Sequence, residues 1–183
     1  MAKDIPSQYI VKDHEDEIYK MWERSGVFSP DRVNSSESIV RSKRTKNSEL
    51  KTKNFSIIMP PPNANGALHI GHAFEVALHD LLIRYHRMRG DKTLWLPGAD
   101  HAGFETQVVY NKKLEKEGRN FFQIPREELY QEILTFTLEN KKTMEGQLRK
   151  LGASCDWSRN TFTLDPKIIK TVYATFKRLY DDG

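Results

Sequence analysis

Pro60-Pro61-Pro62-Asn63-Ala64-Asn65-Gly66-Ala67-Leu68-His69-Ile70-Gly71-His72 is the stretch on which the reading of the fold turns. Ahead of it, Phe55, Ile57 and Met59 alternate with Ser56 and Ile58, which predicts a buried strand ended by the three prolines. The prolines set an extended exit and remove backbone donors. Asn65-Gly66 supplies the turn that follows, with Gly66 free to take positive φ. Behind the turn, 69–89 reads as a long helix closed by Gly90. Its residues Ile70, Phe74, Ala77, Leu81, Tyr85 and Met88 fall at helical spacing and form one apolar face.

Further along, 93–96 is a second short apolar run stopped by Pro97-Gly98, and a helix carrying Val108 and Leu114 runs towards Gly118. Strand, helix, strand, helix in that order predicts an α/β fold with a parallel sheet and right-handed crossovers. The second half reads as helical. Pro125 stands at a first helical position, and Leu129, Ile133, Phe136, Met144, Leu148 and Leu151 extend a stripe to Gly152. Asp165-Pro166 forms an N-cap and N1 pair ahead of an apolar face of Ile169, Val172, Tyr173, Phe176 and Tyr180. Before the proline run, 10–24 reads as a short helix with Ile18 and Trp22 on one side and Gly26 as its stop. Between that helix and the first strand, 29–53 is polar and basic, with too little apolar surface to order itself, and reads as a flexible, solvated insert. The domain reading is therefore a helical extension over 1–28, the insert over 29–53, and the sheet-bearing part over 54–183.

The 183 residues carry a formal net charge of +4, which permits an anionic partner without requiring one. A single cysteine, Cys155, excludes an internal disulfide framework and a Cys-x-x-Cys zinc site, and reads as an inert small hydrophobe in a reducing compartment. No apolar run approaches the roughly 18 residues of a membrane span, and the N-terminus has no apolar signal region, so the expectation is a cytoplasmic, membrane-free protein.

The chemistry concentrates where the first strand meets its helix. His69 and His72, three residues apart, project from one side of the helix's first turn, where free backbone N–H groups and the positive end of the dipole already favour an anion. Two imidazoles there make a phosphate site without a P-loop, and Gly71 between them leaves a flat patch for a planar base or ribose. The carboxyl end of a strand is where doubly wound folds hold ligands. Neither Gly-x-Gly-x-x-Gly nor Gly-x-x-x-x-Gly-Lys-[Ser/Thr] occurs, which removes support for a dinucleotide enzyme or a P-loop kinase. His79 and His86 continue the helix at seven-residue steps and read as surface or boundary residues with no carboxylate partner. Trp95 and Trp157 read as core residues.

Pro62, Gly66, Leu68 and His69 to His72 spell Pro-x-x-x-Gly-x-Leu-His-Ile-Gly-His, which resembles the first signature of the class I aminoacyl-tRNA synthetases. Leu94-Trp95-Leu96-Pro97-Gly98-Ala99-Asp100-His101-Ala102-Gly103 is similar to the second block of the valyl group. Isoleucyl and leucyl relatives usually carry a Trp-Asp-x-x-Gly arrangement there. Gln107, Leu151-Gly152, Asp156-Trp157 and Phe162-Thr163 also fit the valyl pattern, and the likeness runs from about Phe55 to the end. Asn65 stands where valyl enzymes often have Thr.

The resemblance implies the first half of a Rossmann-like catalytic domain with an N-terminal helix and a helical second half. It implies ATP-dependent activation of valine and transfer to tRNA, with Mg²⁺ accompanying ATP as substrate and no protein-bound metal. Carried over by position, His69 and His72 hold the ATP phosphates in the transition state, Gly71 lies against the adenosine and Asn65 near the phosphates. Asp100 pairs with the substrate ammonium, Asn63 binds the polar end of the amino acid, and Pro60 and Pro61 form a wall of the side-chain pocket. The chain reaches Gly183 without a Lys-Met-Ser-Lys-Ser-like segment. The expectation is an incomplete N-terminal piece, marginally stable and with little or no charging activity alone. An isoleucyl or leucyl relative, or a non-catalytic nucleotide- or RNA-binding module, are the alternative readings.

Overall fold

The computed structural model describes residues 8–31 and 53–183. The basic insert expected over 29–53 lies, for 32–52, outside the described residues. Among the described residues five α-helices and four short strands follow one another: α1 Val11–Ser25, β1 Asn54–Ile58, α2 Ile70–Met88, β2 Lys92–Leu96, β3 Gly98–Ala99, α3 Gly103–Lys116, α4 Arg126–Lys150, β4 Thr161–Phe162 and α5 Pro166–Asp182.

β1 and β2 pair in parallel, Asn54 opposite Lys92 through Ile58 opposite Leu96, with α2 as the crossover between them. β2 and β3, separated by Pro97, form one extended line through the middle of the fold. On one side it meets β1 and, beyond the prolines, a parallel bridge between Asn63 and Asp100. On its other side the chain after α4 runs alongside it. Asp156 N donates to the Trp95 carbonyl, Thr161 N to that of Pro97 and Thr163 N to that of Ala99, and β4 pairs in parallel with β3. The α/β class and the parallel pairing agree with the sequence reading.

Alternation along this central line buries Thr93, Trp95, Pro97 and Ala99 on one face. Trp95, Val76 and Ile83 of α2, Leu148 of α4, Met59, Ala153 and Cys155 form the main core, and Phe55 and Ile57 pack against it. Burial raises the Cys155 thiol to about 12, so it stays a thiol, as an inert core residue should. β1 was expected to be a buried strand. Only one face is covered, and Ile58 remains 72 % exposed.

The apolar face read for α2 is the outer one. Ile70, Phe74, Leu81, Tyr85 and Met88 are all exposed, while Val76 and Ile83 face the sheet. The inward side carries polar residues that have partners in the turn after α4. Asp80 Oδ1 accepts from the backbone N–H and hydroxyl of Ser154. Arg84 donates to the Gly152 carbonyl and Arg87 to the Ser154 hydroxyl and carbonyl. The stripe expected along α5 is likewise exposed, and no residue of α5 is buried. In α4, Met144 and Leu148 are buried as expected, Leu151 is exposed, and Pro125 is the N-cap instead of the first helical residue.

α1 begins and ends as expected, with Gly26 at φ 69° ending it, but its anchor is Tyr19, between Ile18 and Trp22. The Tyr19 hydroxyl donates to the Ala153 carbonyl at 2.6 Å and accepts from Trp157 Nε1 at 2.7 Å, while Arg149 lies 3.9 Å over the Trp157 ring. Trp157 is thus half-buried, at the margin of the core.

His86 does have a carboxylate partner, contrary to expectation. Its Nδ1 is 2.7 Å from Asp91 Oδ2, and its ring stacks on Phe55 with centroids 3.7 Å apart. Asp91 lies at the mouth of β2, and the bond from His86, acting against burial, holds its carboxyl below the usual range. A depressed carboxyl stabilises the fold above its unfolded pKa, near about 3.9, and the contribution is lost as pH falls through the lower folded value. Asp91→Asn should therefore lower the thermal midpoint near about pH 6, with the gap from wild type closing as the pH falls through the lowered folded-state value. A gap of constant size across that range would mean that the carboxylate charge contributes nothing.

Candidate functional site

His69 is the N-cap of α2, with extended backbone at φ −114° and ψ 176°. Its Nδ1 accepts from the Gly71 backbone N–H at 3.1 Å, and His72 Nδ1 accepts from the His69 backbone N–H at 3.3 Å. The two imidazoles thus cap the helix reciprocally, as Ser and Glu do in a capping box. A ring nitrogen that accepts carries no proton, so each neutral ring bears its hydrogen on Nε2. Both residues therefore turn an N–H donor away from the helix. Their ring centroids are 4.0 Å apart. Burial, and secondarily the charge of His69, lower the pKa of His72, which disfavours a doubly charged pair.

Two details differ from the sequence reading. The first-turn N–H groups of His69 and Gly71 are not free for an anion, because the histidines already use them. The space over Gly71 is not an open patch either. A Cβ there would meet His69 Cε1 at 2.9 Å and Nδ1 at 3.0 Å, so glycine is needed to admit the capping ring. Gly66 is not among the residues with positive φ, and the turn is made by Ala64 and Asn65, with Asn65 N–H donating to the Asn63 carbonyl at 2.9 Å. The approach to His69 is fixed from α4, where Gln147 Oε1 accepts from Leu68 N–H at 2.9 Å.

The proline wall divides. Pro60 lines a crevice of about 10 Å³ with Met59, Leu68, His72 and His79, room for no more than a water. Pro61 faces the other way, and its Cβ is 3.8 Å from where a Cβ on Gly98 would sit. Extended backbone alternates its side chains, so consecutive prolines cannot share one wall.

Asn63 and Asp100 are brought together by the bridge between their strands, with Ala64 N donating to the Asp100 carbonyl at 2.7 Å and Asp100 N to that of Pro62 at 3.0 Å. Asp100 is half-exposed, not buried. Its Oδ1 accepts from Ala102 N at 3.1 Å and from the Thr163 hydroxyl at 3.1 Å. It therefore braces the turn that leads into α3. Ala102 takes φ 56°, the one positive φ at a non-glycine among the described residues, and Gly103 follows at 40°. A Cβ at such an angle is strained by about 1–2 kcal/mol, and residues held this way cluster at binding sites.

Sequence reasoning missed Glu105, whose Oε2 accepts from Asn63 Nδ2 at 3.4 Å, and Thr163, which meets Asp100 and His101. Glu105 sits five positions beyond Asp100 on α3, a signal within reach. Thr163 is brought in only by the pairing of β3 with β4, and its spacing from Asp100 carries no local signal.

A family profile described as tRNA synthetases class I (I, L, M and V) matches residues 17–183, nearly the whole chain. The chain belongs to the class I tRNA synthetases. Among its relatives, a valine–tRNA ligase of Treponema denticola is 41 % identical over 182 residues, all of this chain and 18 % of that protein. A valine–tRNA ligase of Rattus norvegicus is 43 % identical over 98 % of this chain and 14 % of its own length. The chain thus spans less than a fifth of the length of the curated relatives it matches. A solved LeuRS–tRNA–LeuAMS ternary complex from Agrobacterium radiobacter K84 superposes with a TM-score of 0.71 at 22 % identity, covering 96 % of this chain and 18 % of that one. That likeness establishes the fold as that of part of a class I synthetase. The four-residue core His69-Ile70-Gly71-His72 lies at the start of α2, after β1 and the proline run.

Proposed function

We propose that this chain supplies the first strand-to-helix passage of a valine–tRNA ligase, which joins valine to ATP as the adenylate and passes it to tRNA. The observation that carries the choice of valine is the 41 % identity to a valine–tRNA ligase along the entire chain. The geometry supports the chemistry. Valine's carboxylate attacks the α-phosphate in line, pyrophosphate leaves with Mg²⁺ as part of the substrate, and the terminal ribose of tRNA then attacks the adenylate carbonyl. Negative charge builds on phosphate oxygens, so the contribution required of the protein is preset donors.

His69 and His72, locked by their mutual caps, present two Nε2–H groups that do not have to reorganise. Gly71 and Asn65 flank them on the side assigned to the nucleotide. Asp100 faces the valine ammonium and Asn63 the polar end of the amino acid, while Pro60 and Pro61, which face opposite ways, do not both border the amino-acid site. The cytoplasm is the compartment this reading implies. No helix among the described residues is long and apolar enough to cross a membrane.

Calorimetry of ATP binding tests the phosphate assignment. Two hydrogen bonds to charged oxygens, at about 1.5–3 kcal/mol each, set the expectation that His69→Ala/His72→Ala weakens ATP by about hundredfold or more. Equal affinity in the double variant would remove the histidines from the phosphate site. A folded wild-type chain that does not bind ATP would overturn the proposal for this chain.

A further inference from the structure

Three groups compete for the hydroxyl of Thr163. It donates to Asp100 Oδ1 at 3.1 Å, accepts from the His101 backbone N–H at 2.9 Å and lies 2.6 Å from His101 Nδ1. A hydroxyl has one proton and two lone pairs. If that proton went to His101 Nδ1, Asp100 Oδ1 would face an oxygen lone pair at 3.1 Å and a nitrogen lone pair at 3.4 Å. If it goes to the carboxylate, His101 must carry its own proton on Nδ1 and donate it to Thr163 Oγ1. The backbone N–H of His101 then takes the second lone pair. Only this arrangement fills every valence without opposing like poles, and the bond to the ionised carboxylate is the stronger one.

As a neutral ring, His101 is therefore set in the tautomer opposite to that of His69 and His72. Its Nε2 carries a lone pair and has no protein partner among the described residues. The side chain is 38 % exposed, and Nε2 lies 3.9 Å from where a Cβ on Gly103 would sit. Asp100 Oδ2 is likewise unpartnered among the described residues. The strained turn at Ala102 and Gly103, held by Ala102 N–H on Asp100 and by the Thr106 hydroxyl on the His101 carbonyl at 2.6 Å, keeps both side chains in place.

We propose that Thr163 is a positioning residue that presets Asp100 and His101 as paired acceptors, the carboxylate through Oδ2 and the imidazole through Nε2, for a primary ammonium. This rests on the reading above that Asp100 meets the ammonium of the amino acid, and adds His101 as its second acceptor. An ammonium has three donors, and one carboxylate oxygen satisfies only part of them.

The test uses the full chain with ¹⁵N-labelled histidine. Long-range ¹H–¹⁵N correlation of the neutral ring should show His101 protonated on Nδ1 and unprotonated on Nε2, and a ring protonated on Nε2 would overturn the inference. Calorimetry with L-valine and, separately, ATP then compares wild type, Thr163→Val and Thr163→Ser. Valine affinity should fall about tenfold or more in Thr163→Val and return to within about twofold of wild type in Thr163→Ser, with ATP affinity unchanged in both. Equal losses for valine and ATP, or no rescue by serine, would reduce Thr163 to a structural residue and overturn the proposal. Should wild type bind no valine while His101 shows the Nδ1–H tautomer, the substrate reading fails and the preset pair stands.

Discussion

Trp95→Ala is expected to remove most of the chain's stability at room temperature. Trp95 is 0 % exposed and stands in the central strand, between β1 on one side and the chain after α4 on the other. It packs with Val76 and Ile83 beneath α2 and with Leu148, Ala153 and Cys155. Truncating a buried tryptophan to alanine costs about 3–5 kcal/mol, and a whole domain is held by about 5–15 kcal/mol. Here the margin is at the low end, because α5 buries nothing and the outer side of α2 stays in water. Trp95→Phe separates packing from polarity. Trp95 Nε1 is buried without a hydrogen-bond partner, so phenylalanine removes an unsatisfied donor along with some volume. Its cost should be below about 1.5 kcal/mol. Urea unfolding followed by far-ultraviolet dichroism checks both. An alanine variant within about 1 kcal/mol of wild type would mean that the core closes elsewhere than at this residue.

Gly71→Ala is expected to leave stability nearly unchanged while weakening ATP binding on the order of tenfold. Alanine is favoured over glycine in a helix by about 1 kcal/mol. Against this, the new Cβ would come within 2.9 Å of His69 Cε1 and push the ring from its cap. Loss of a side-chain cap costs about 1 kcal/mol, so the two effects roughly cancel in the folding equilibrium. They do not cancel in the site. A His69 ring released from Gly71 N–H no longer has its tautomer set by Nδ1, and Nε2 ceases to be an obligatory donor. Thermal unfolding together with ATP calorimetry on one preparation decides the matter. A large fall in stability with binding intact would place the role of Gly71 in the helix and not in the site.

Much of the framework was legible in the sequence because it depends on local chemistry. Proline ends β1, Gly26 in the left-handed region ends α1, and Asp165-Pro166 starts α5, all signals contained within a few residues. The inward side of α2 was not legible. Apolar periodicity there points to Ile70, Phe74, Leu81, Tyr85 and Met88, but the sheet takes the side of Val76 and Ile83. Asp80, Arg84 and Arg87 share that inward side, and they are tolerated because the distant turn at 152–154 supplies their partners. No count of apolar residues along one helix anticipates partners so far along the chain. The two histidines lie side by side in the first turn of α2 as read, yet their reciprocal capping was not foreseen, since that depends on rotamers. Thr163 was passed over as a site residue for the same reason as the α2 face. Its significance exists only once β4 lies beside β3.

Among the described residues β1 pairs only with β2, so the far side of Asn54–Ile58 presents backbone groups with no strand partner there. Such a margin is a template. Any extended peptide that reaches it can add itself as a further strand, and the exposed Ile58 at its end gives the newcomer an apolar foothold. Nothing in the strand itself, neither a lysine nor a proline between Phe55 and Ile58, discourages lateral growth. Left uncovered, such an edge favours edge-to-edge aggregation along one identifiable seam, and a single inward charge placed there is the economical remedy.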